Sequence, residues 1–559
     1  MADTAREGAG KEDLIALIRE SVMGERDAIA GPFGPRPLIY VDYIASGRAL
    51  SFVEDVILDR VLPVYGNTHT ETSYTGREAT ALREEARRTI AEAVGADERH
   101  AVIFAGSGAT AAIDRLVRGM GIEELARSVA PPVVFVGPYE HHSNDLPWRE
   151  SGAVMERIRL DAAGQIDLGH LADRLAAHPV APIKIGAFSA ASNVTGVRTD
   201  LRAVARLLHA HGARFVCDFA AAAPYLPMRL DLEEGDPTAR IDAIVYSSHK
   251  FIGGPGASGV LVADKALFTL ARPGVTGGGT VSYVTADRHC YVSDIERREE
   301  AGTPGIVGDI RAGAVMALKQ AVGAEEIERR ETALVRKVVD RLSAAPGVEI
   351  LGPTESDRIG VLSFNIRVAG RLLHYGFVVA LLNDLFGIQA RGGCSCAGPY
   401  AHHLLEIPAD RAWGHEEAVR RGHGMLRPGW VRIGLNYFYD DETIDYLIEA
   451  ILFIHENGLK FLPAYEADTA HGIWRHLDAG RREQASLGDF WRAKKRARCA
   501  KMGQLQQFLR EAEDLARTRP LPVPRCSDLL HPQYEALRNY WMPQEMSSDA
   551  VGANAAAEL

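Results

Sequence analysis

The spacing of apolar positions changes character near residue 100. Before it, Leu14, Ile15, Leu17 and Ile18 recur as on one face of a helix, which is expected over residues 13–24 after a loose tail at 1–12. GPFGPRP (31–37) breaks the chain. Leu38–Ile44 reads as a short strand carrying Tyr40 and Asp42, and Val53–Leu62 as a helix. The stretch YGNTHTETSYTG (65–76) is too polar for a core, so it either decorates the surface or lines a site, with His69 a candidate to enter it. A helix over Arg77–Val94 stops at Gly95.

Beyond residue 100, short apolar runs alternate with amphipathic stretches. Strands are expected at Ala101–Ala105, Val133–Val136, Ile183–Phe188, Arg214–Phe219, Ile241–Tyr246 and Gly259–Val262, and helices at about 108–119, 167–177 and 199–211. Nearly continuous apolar strands separated by helices predict an α/β sheet, mostly parallel and covered on both faces. In such sheets the site lies beyond the carboxyl ends of the strands. The polar clusters follow strand ends: GSGAT after Ala105, EHHSND after Gly137 and SAASNVTG after Phe188. Asp218 ends VCD, and SSHK follows Tyr246. Five strand ends converging polar residues outweigh any single motif.

TPGIVGDIRAG (303–313) opens a second region. A helix is expected from Gly308 to about Leu342 with a break at Gly323. Strands follow at Val348–Leu351 and Ile359–Ile366, a helix near Leu372–Leu385, a strand near Trp430–Asn436 and a helix over 441–458. The composition shifts after about 465. WRAKKRARCAKMGQ (491–504) is basic and reads as a solvated helix face or a surface for an acidic partner; PLPVPRC (520–526) is linker-like. The division this suggests is an N-terminal segment (1–37), a large domain (38–305), a small α/β domain (306–460) and a C-terminal extension (461–559) that docks on the body.

Composition narrows the classes. At 559 residues, 47% apolar and 25% charged, the chain has a globular balance. A net charge of -11 argues against a general nucleic-acid binder. Six scattered cysteines do not make a disulfide framework, so a reducing, cytoplasmic setting is expected. No apolar run approaches membrane-spanning length, and the N-terminus lacks the apolar core of a signal peptide. There is no internal repeat.

Four clusters carry candidate chemistry. Lys250 ends an apolar strand, where an amine is costly unless paired or covalently bonded; desolvation favours its neutral, nucleophilic form and suits it to an aldehyde, the alternative being a lysine turned to solvent. Gly253, Gly254, Gly256 and Gly259 follow it as turn points. Gly106, Gly108, Ala109 and Thr110 make a turn whose helix N-terminus suits a phosphate, although small residues open many helices and the motif is not a P-loop. Asp218 is a structural carboxylate or the partner of a protonated ring nitrogen. His141 is a surface histidine or a flat face for an aromatic ring.

Taken together, SSHK, GGPGASG and the strand-end residues resemble class V of the pyridoxal-phosphate enzymes, the group containing cysteine desulfurases and selenocysteine lyases, over roughly residues 38–460. The resemblance implies the type I fold of pyridoxal-phosphate-dependent transferases, with pyridoxal 5'-phosphate held covalently by Lys250. Ser247, His249, Thr110 and the Ala109 amide would then contact the phosphate, Asp218 the pyridine nitrogen, and His141 the ring face. Asn193 in SNVTG would sit near the ring oxygen and substrate, and Arg432 in WVRIGLN would grip the substrate carboxylate. GGGT (277–280), with Thr280, resembles the loop that reaches the partner subunit's phosphate, which implies a homodimer with a shared site. EAGTP (300–304) resembles the stretch opening the small domain.

In RGGCSCAGP, Cys396 falls where the family's desulfurases carry the persulfide, and Arg391 matches the basic residue that opens that loop. Cys394 is an extra thiol; a C-x-C pair also suggests metal binding, but no complete four-ligand zinc set accompanies it, so no metal is expected. One departure concerns the ring oxygen: Ala221 stands where the family has a glutamine three residues after the aspartate. The implied activity is release of sulfur from L-cysteine, giving L-alanine and an enzyme persulfide. Lys250, Cys396 and His141 would be catalytic, and a sulfur-acceptor protein is a further candidate partner. The competing readings are another class V reaction (aminotransferase, epimerase, or carbon–sulfur or carbon–carbon lyase) and a noncatalytic scaffold of the same fold. Neither nucleic acid nor membrane is expected as a partner.

Overall fold

A computed structural model describes residues 2–68, 70–480, 487–489, 502–524, 530 and 532–547. Its centre is a seven-stranded sheet built from β1 (His100–Gly106), β2 (Val133–Val136), β3 (Val154–Arg157), β4 (Lys184–Ser189), β5 (Arg214–Asp218), β6 (Ala243–Ser247) and β7 (Gly259–Asp264). The spatial order is β1-β7-β6-β5-β4-β2-β3. Neighbours from β6 to β3 pair in parallel, whereas β7 is antiparallel to both β6 and β1. Two reversals leave β1 running with the parallel strands, so its carboxyl end meets theirs. The sheet is the α/β arrangement the alternation predicts. The edge strand β3 and the reversed sense of β7 were not expected.

Alternate residues of each strand face opposite ways. Ile103, Val134, Ile185, Val216, Val245 and Leu261 enter one buried apolar cluster. Phe104, Phe135, Phe188, Phe215, Ile244 and Val262 enter another, which continues through the rest of the chain. Both faces are therefore covered, which is why these runs read as uninterrupted apolar sequence.

A second, five-stranded sheet contains β8 (Val348–Ile350), β9 (Val361–Val368), β10 (Arg371–Leu373), β11 (Arg391–Gly393) and β12 (Trp430–Gly434), all paired antiparallel. Helices Ile306–Val322 and Ala324–Ser343 lead to it, and the interruption falls at Gly323, whose φ of +88° takes the chain out of the helix. Helices Tyr375–Phe386 and Asp441–Phe461 pack near it.

The N-terminal expectations need correction. The first helix runs Ala2–Ser21, so the anticipated tail is helical in its first residues. The strand expected over 38–44 is only Ile39–Tyr40, paired with Ile388–Gln389, because the chain turns at once so that Ala45 and Ser46 bond back to Asp42. The helix expected over 53–62 is a helix over Ser51–Val56 that widens and then tightens through Val64. The helix expected at 77 begins at Tyr74, capped by Ser73, and ends as expected at a left-handed Gly95.

The C-terminal extension docks on the body. Helix Leu505–Arg517 buries Leu505, Phe508, Leu509, Ala512 and Ala516 and packs on helices Tyr375–Phe386 and Asp441–Phe461. Further on, Leu372 of β10 donates its N–H to Asn539 O and accepts from Trp541 N–H, both at 3.0 Å. Arg538, buried, pairs with Glu535 and Glu545. His69 and nearly all of the basic stretch 491–504 lie outside the described residues.

Candidate active site

A cavity of about 230 Å³ opens at the carboxyl ends of β1, β2, β4, β5 and β6. It is lined by Ala109, Thr110, His141, Asn193, Asp218, Ser247, His249, Lys250, Arg391, Cys396 and Arg432, which are the residues the sequence singles out apart from Thr280. Thr280 is fully buried elsewhere, its hydroxyl donating to Gly277 O at 2.7 Å, at the start of an exposed hairpin over 281–291.

One wall is the N-terminus of helix Gly108–Gly119. The Ala109 N–H donates to Ser247 Oγ at 2.9 Å, and Thr110 Oγ1 lies 2.6 Å from Ser143 Oγ. Gly108 has a φ of +65°, and a Cβ there would sit 2.8 Å from Ser247 Oγ and 2.9 Å from His249 Cε1. A Cβ on Gly259 would lie 2.2 Å from Gly108 O, so β7 also needs a glycine for this turn to close. The positive end of the helix suits an anion such as a phosphate.

The floor carries the charges. Asp218 is buried; Oδ1 accepts the Ala220 N–H at 2.7 Å, and its other oxygen takes no hydrogen bond from any described residue. Burial raises its pKa, with the Lys250 charge opposing. Lys250 Nζ has no hydrogen-bond partner among the described residues; burial lowers its pKa to about 8, Asp218 opposing and Arg432 and Arg391 adding to the fall. The result is an amine still mostly protonated at pH 7, but with a far larger neutral fraction than an ordinary lysine.

His141 rises from one side and Ala220 and Ala221 from another. His141 Nδ1 accepts the Ser143 N–H at 3.1 Å, and burial followed by the Lys250 charge holds its pKa down at about 4, so its ring is neutral. Behind it Glu140 is buried, with a pKa raised to about 7 chiefly by that burial, and its carboxyl group is held by Ser189 and Asn144.

The other side of the cavity comes from distant parts of the chain. Arg432 on β12 and Arg391 on β11 share one carboxylate: Asp42 Oδ1 is 3.0 Å from Arg432 Nη2 and Oδ2 is 2.9 Å from Arg391 Nε. Arg432 Nη1 also donates to Asn193 O at 3.1 Å. Asn193 Nδ2 donates to Ser395 O at 2.8 Å, while its Oδ1 is buried without a partner.

Ser395 and Cys396 have φ values of +55° and +56°. Two successive non-glycine residues in the left-handed region are held against a backbone cost of about 1–2 kcal/mol each. Three contacts fix them there: the Asn193 bond, the His142 N–H to Cys396 O at 2.9 Å, and the Gly398 N–H to His142 Nε2 at 3.2 Å. Cys396 is exposed at the cavity, whereas Cys394 is partly buried against the core and does not line it. Among the described residues no group of three or more His, Cys, Asp or Glu side chains is arranged to hold a metal ion.

Asp42 and His142 carried no assigned role in the sequence. Asp42 stood out only as an acid in an apolar strand, and its partners lie some 350 and 390 residues away. Nothing local signals such a pairing.

The chain is similar to known proteins. The family model described as "Aminotransferase class-V" matches residues 39–447. A probable cysteine desulfurase of Halalkalibacterium halodurans is 30% identical over 380 residues, covering 67% of this chain and 88% of the relative. A cysteine desulfurase of Klebsiella pneumoniae is 28% identical over 378 residues, covering 67% and 87%. Among solved structures, the apo cysteine desulfurase of Thermococcus onnurineus superposes with a TM-score of 0.61 at 25% identity, covering 75% of this chain and 94% of that one. A cysteine desulfurase of Escherichia coli superposes with a TM-score of 0.62 at 24% identity, covering 79% and 98%, a likeness of fold.

Proposed function

The chain belongs to the class-V aminotransferase family, and on that premise we propose that it is a pyridoxal-phosphate-dependent cysteine desulfurase, converting L-cysteine to L-alanine and leaving the sulfur as a persulfide on Cys396. The observation that carries this reading is that Cys396 lines the same cavity as Lys250 and Asp218. The relatives named as desulfurases support the same choice.

The residues fit the cofactor. The positive end of helix Gly108–Gly119, with Ala109, Thr110, Ser247 and His249 lining the cavity beside it, matches a phosphate. The unpaired oxygen of Asp218 matches a protonated ring nitrogen, and the unpartnered, partly neutral Lys250 amine matches an aldehyde. His141 and Ala220 bound the space between as flat walls. When bound, pyridoxal phosphate would supply an electron-accepting ring beside the substrate α-carbon.

The chain's own groups then divide the work. Ser247, His249, Thr110 and the Ala109 N–H hold the phosphate. Arg432 and Arg391 orient the substrate carboxylate, with Asn193 beside it. Lys250 would hold the cofactor covalently, and its Nζ, when free, would take the substrate's α-proton; a pKa lowered to about 8 matches that task. Cys396 Sγ receives the substrate sulfur. The Cβ–S bond breaks and an S–S bond forms. Both sulfurs are oxidised as the β-carbon is reduced and protonated, so L-cysteine and the thiol yield L-alanine and a persulfide with no external oxidant.

A homodimer belongs to this reading. Val56, Leu58, Leu62, Tyr65 and Tyr74, with Tyr283 and Val284 beyond Thr280, are large exposed apolar side chains that a second copy would cover. The domain division at 38–305, 306–460 and 461–559, a reducing cytoplasmic setting and a protein acceptor for the sulfur complete it. Among the described residues no helix is long and apolar enough to cross a membrane.

A second reading, another class V reaction, is favoured by Ala221, which offers a methyl group at the cavity where the family has a glutamine. Incubating the purified protein with L-cysteine and following alanine, pyruvate and sulfide together separates the two. Stoichiometric alanine and persulfide support desulfuration. Pyruvate, a racemised product or a requirement for an amino-group acceptor supports the alternative.

A further inference from the structure

A second cavity, of about 320 Å³, shares no lining residue with the one at Lys250 among the described residues. Part of its wall is Leu537, Asn539 and Tyr540 of the C-terminal extension, beyond the residues 39–447 that the family model matches. From its lining we infer that this cavity binds a small organic acid, one carboxylate carried on an apolar body. The inference stands apart from the reaction proposed at Lys250.

The extension is seated on both banks of this space. On one bank the Leu372 backbone of β10 bonds to Asn539 and Trp541, and Tyr540 OH donates to Met425 O at 3.1 Å. On the other, Arg411 in helix Ala409–Arg420 donates from Nη2 to Ala536 O at 3.2 Å. Between them the interior is apolar, with Leu351, Leu373, Leu426 and Leu537 buried around it. The volume falls at the small end of the range of about 300–1,000 Å³ in which proteins hold small organic ligands.

β9 supplies a polar floor. Asn365 lines the cavity, is 4% exposed, and its side chain has no hydrogen-bond partner among the described residues. A buried amide left unpaired is costly. Its neighbour His374 is satisfied by contrast: Nε2 donates to Met425 O at 3.2 Å, and Nδ1 accepts from Gly376 N–H and Trp474 Nε1. The Asn365 amide can donate to a ligand carboxylate or to a water beside it.

The rim carries the charge. Arg411, Arg427 and Glu406 are exposed and form no ion pair with any described residue, whereas Arg367 is spent on Glu349. Burial holds the pKa of His374 down at about 4 and lowers that of His415, and it raises those of the Tyr375 and Tyr540 hydroxyls, so these four groups are neutral near pH 7. Three arginines against two glutamates leave one net positive charge among the described lining residues. One carboxylate balances it, and a guanidinium fork suits that shape.

Calorimetry of the purified protein with n-octanoate and its uncharged counterpart 1-octanol tests the inference. Octanoate should bind one site per chain, about tenfold or more tightly than 1-octanol. Glu406→Gln raises the positive balance and should tighten octanoate by about threefold, while Arg411→Gln/Arg427→Gln should weaken it by about tenfold. Neither change should move 1-octanol by more than about twofold. Ile407→Trp, at a partly exposed lining position with room to grow into the cavity, should abolish binding of both. All four positions are exposed or half-exposed, so the variants should keep the melting temperature of the wild type.

No saturable octanoate binding overturns the inference, as does equal affinity for octanoate and 1-octanol. Octanoate binding that Ile407→Trp leaves intact also overturns it, since the acid would then sit elsewhere, for instance on the arginines near Lys250. The calorimetry follows no reaction, so a protein that binds octanoate here yet makes no alanine from L-cysteine contradicts the desulfurase reading alone.

Discussion

The two sides of the cavity are built in opposite ways. The side proposed for the phosphate and ring is a set of local devices, each at the end of one strand of the seven-stranded sheet: Ala109 and Thr110 after β1, His141 after β2, Asp218 on β5, Ser247 to Lys250 at the end of β6. The side proposed for the substrate and the thiol is a set of long-range contacts: Asp42 with Arg391 and Arg432, Asn193 with Ser395, His142 with Cys396 and Gly398. The first side depends on the sheet, whose two apolar faces fix every strand end at once. The second depends on how loops from different regions meet. Changes on the first side should therefore abolish cofactor chemistry, whereas changes on the second should spare the cofactor and alter what is done with it.

The largest effect belongs to the first side. Lys250→Ala removes the only lysine lining the cavity among the described residues. It should abolish the borohydride-stable cofactor adduct and lower alanine formation by roughly a thousandfold or more, as expected for loss of both a nucleophile and a base. A variant that kept either property would break the comparison at its root.

Next is the pH dependence of reconstitution. The cofactor-free protein must present Lys250 as a neutral amine, and its pKa is lowered to about 8. Protonation predominates below that value. The rate of covalent loading should rise about tenfold per pH unit up to about 8 and then level off. Stopped-flow absorbance after mixing with pyridoxal phosphate measures this. A rise continuing toward the ordinary lysine range would mean that burial does not tune the amine.

The smallest effect tests the second side. His142 clamps the thiol loop through its own N–H and through Nε2, which accepts from Gly398. His142→Ala removes the side-chain contact at a cost of about 1 kcal/mol in loop stability. Sulfur transfer should slow by about tenfold, with cofactor absorption unchanged and faster alkylation of Cys396. His142→Gln, whose side-chain oxygen reaches about as far as Nε2 and can accept from the same N–H, should recover part of the rate. Equal cofactor loss would show that the two sides are not separable.

The same contrast explains what the sequence reveals. Strand ends are legible because apolar period and polar clusters are local, so Lys250, Asp218 and the GSGAT turn fall where expected. The break at Gly323 was legible for the same reason: one residue carries the signal. Asp42 and His142 were not, since their meaning lies in partners hundreds of residues away. The reversed strand β7 has the apolar pattern of a parallel one, because both are covered on two faces. The helix from Ala2 was missed because an amphipathic period begins only at Leu14. The role expected of Thr280 requires a second copy of the chain, so nothing within one chain bears on it.

The central claim is that Cys396 accepts sulfur from a substrate activated at Lys250. Mass spectrometry of the loaded enzyme after brief exposure to L-cysteine tests it most directly. The account expects one added sulfur on the peptide carrying Cys396, formed together with one equivalent of L-alanine. Cys396→Ala should lose this mass shift while keeping cofactor absorption. Undiminished sulfur release with alanine from Cys396→Ala, or the added sulfur appearing on Cys394 instead, would contradict it.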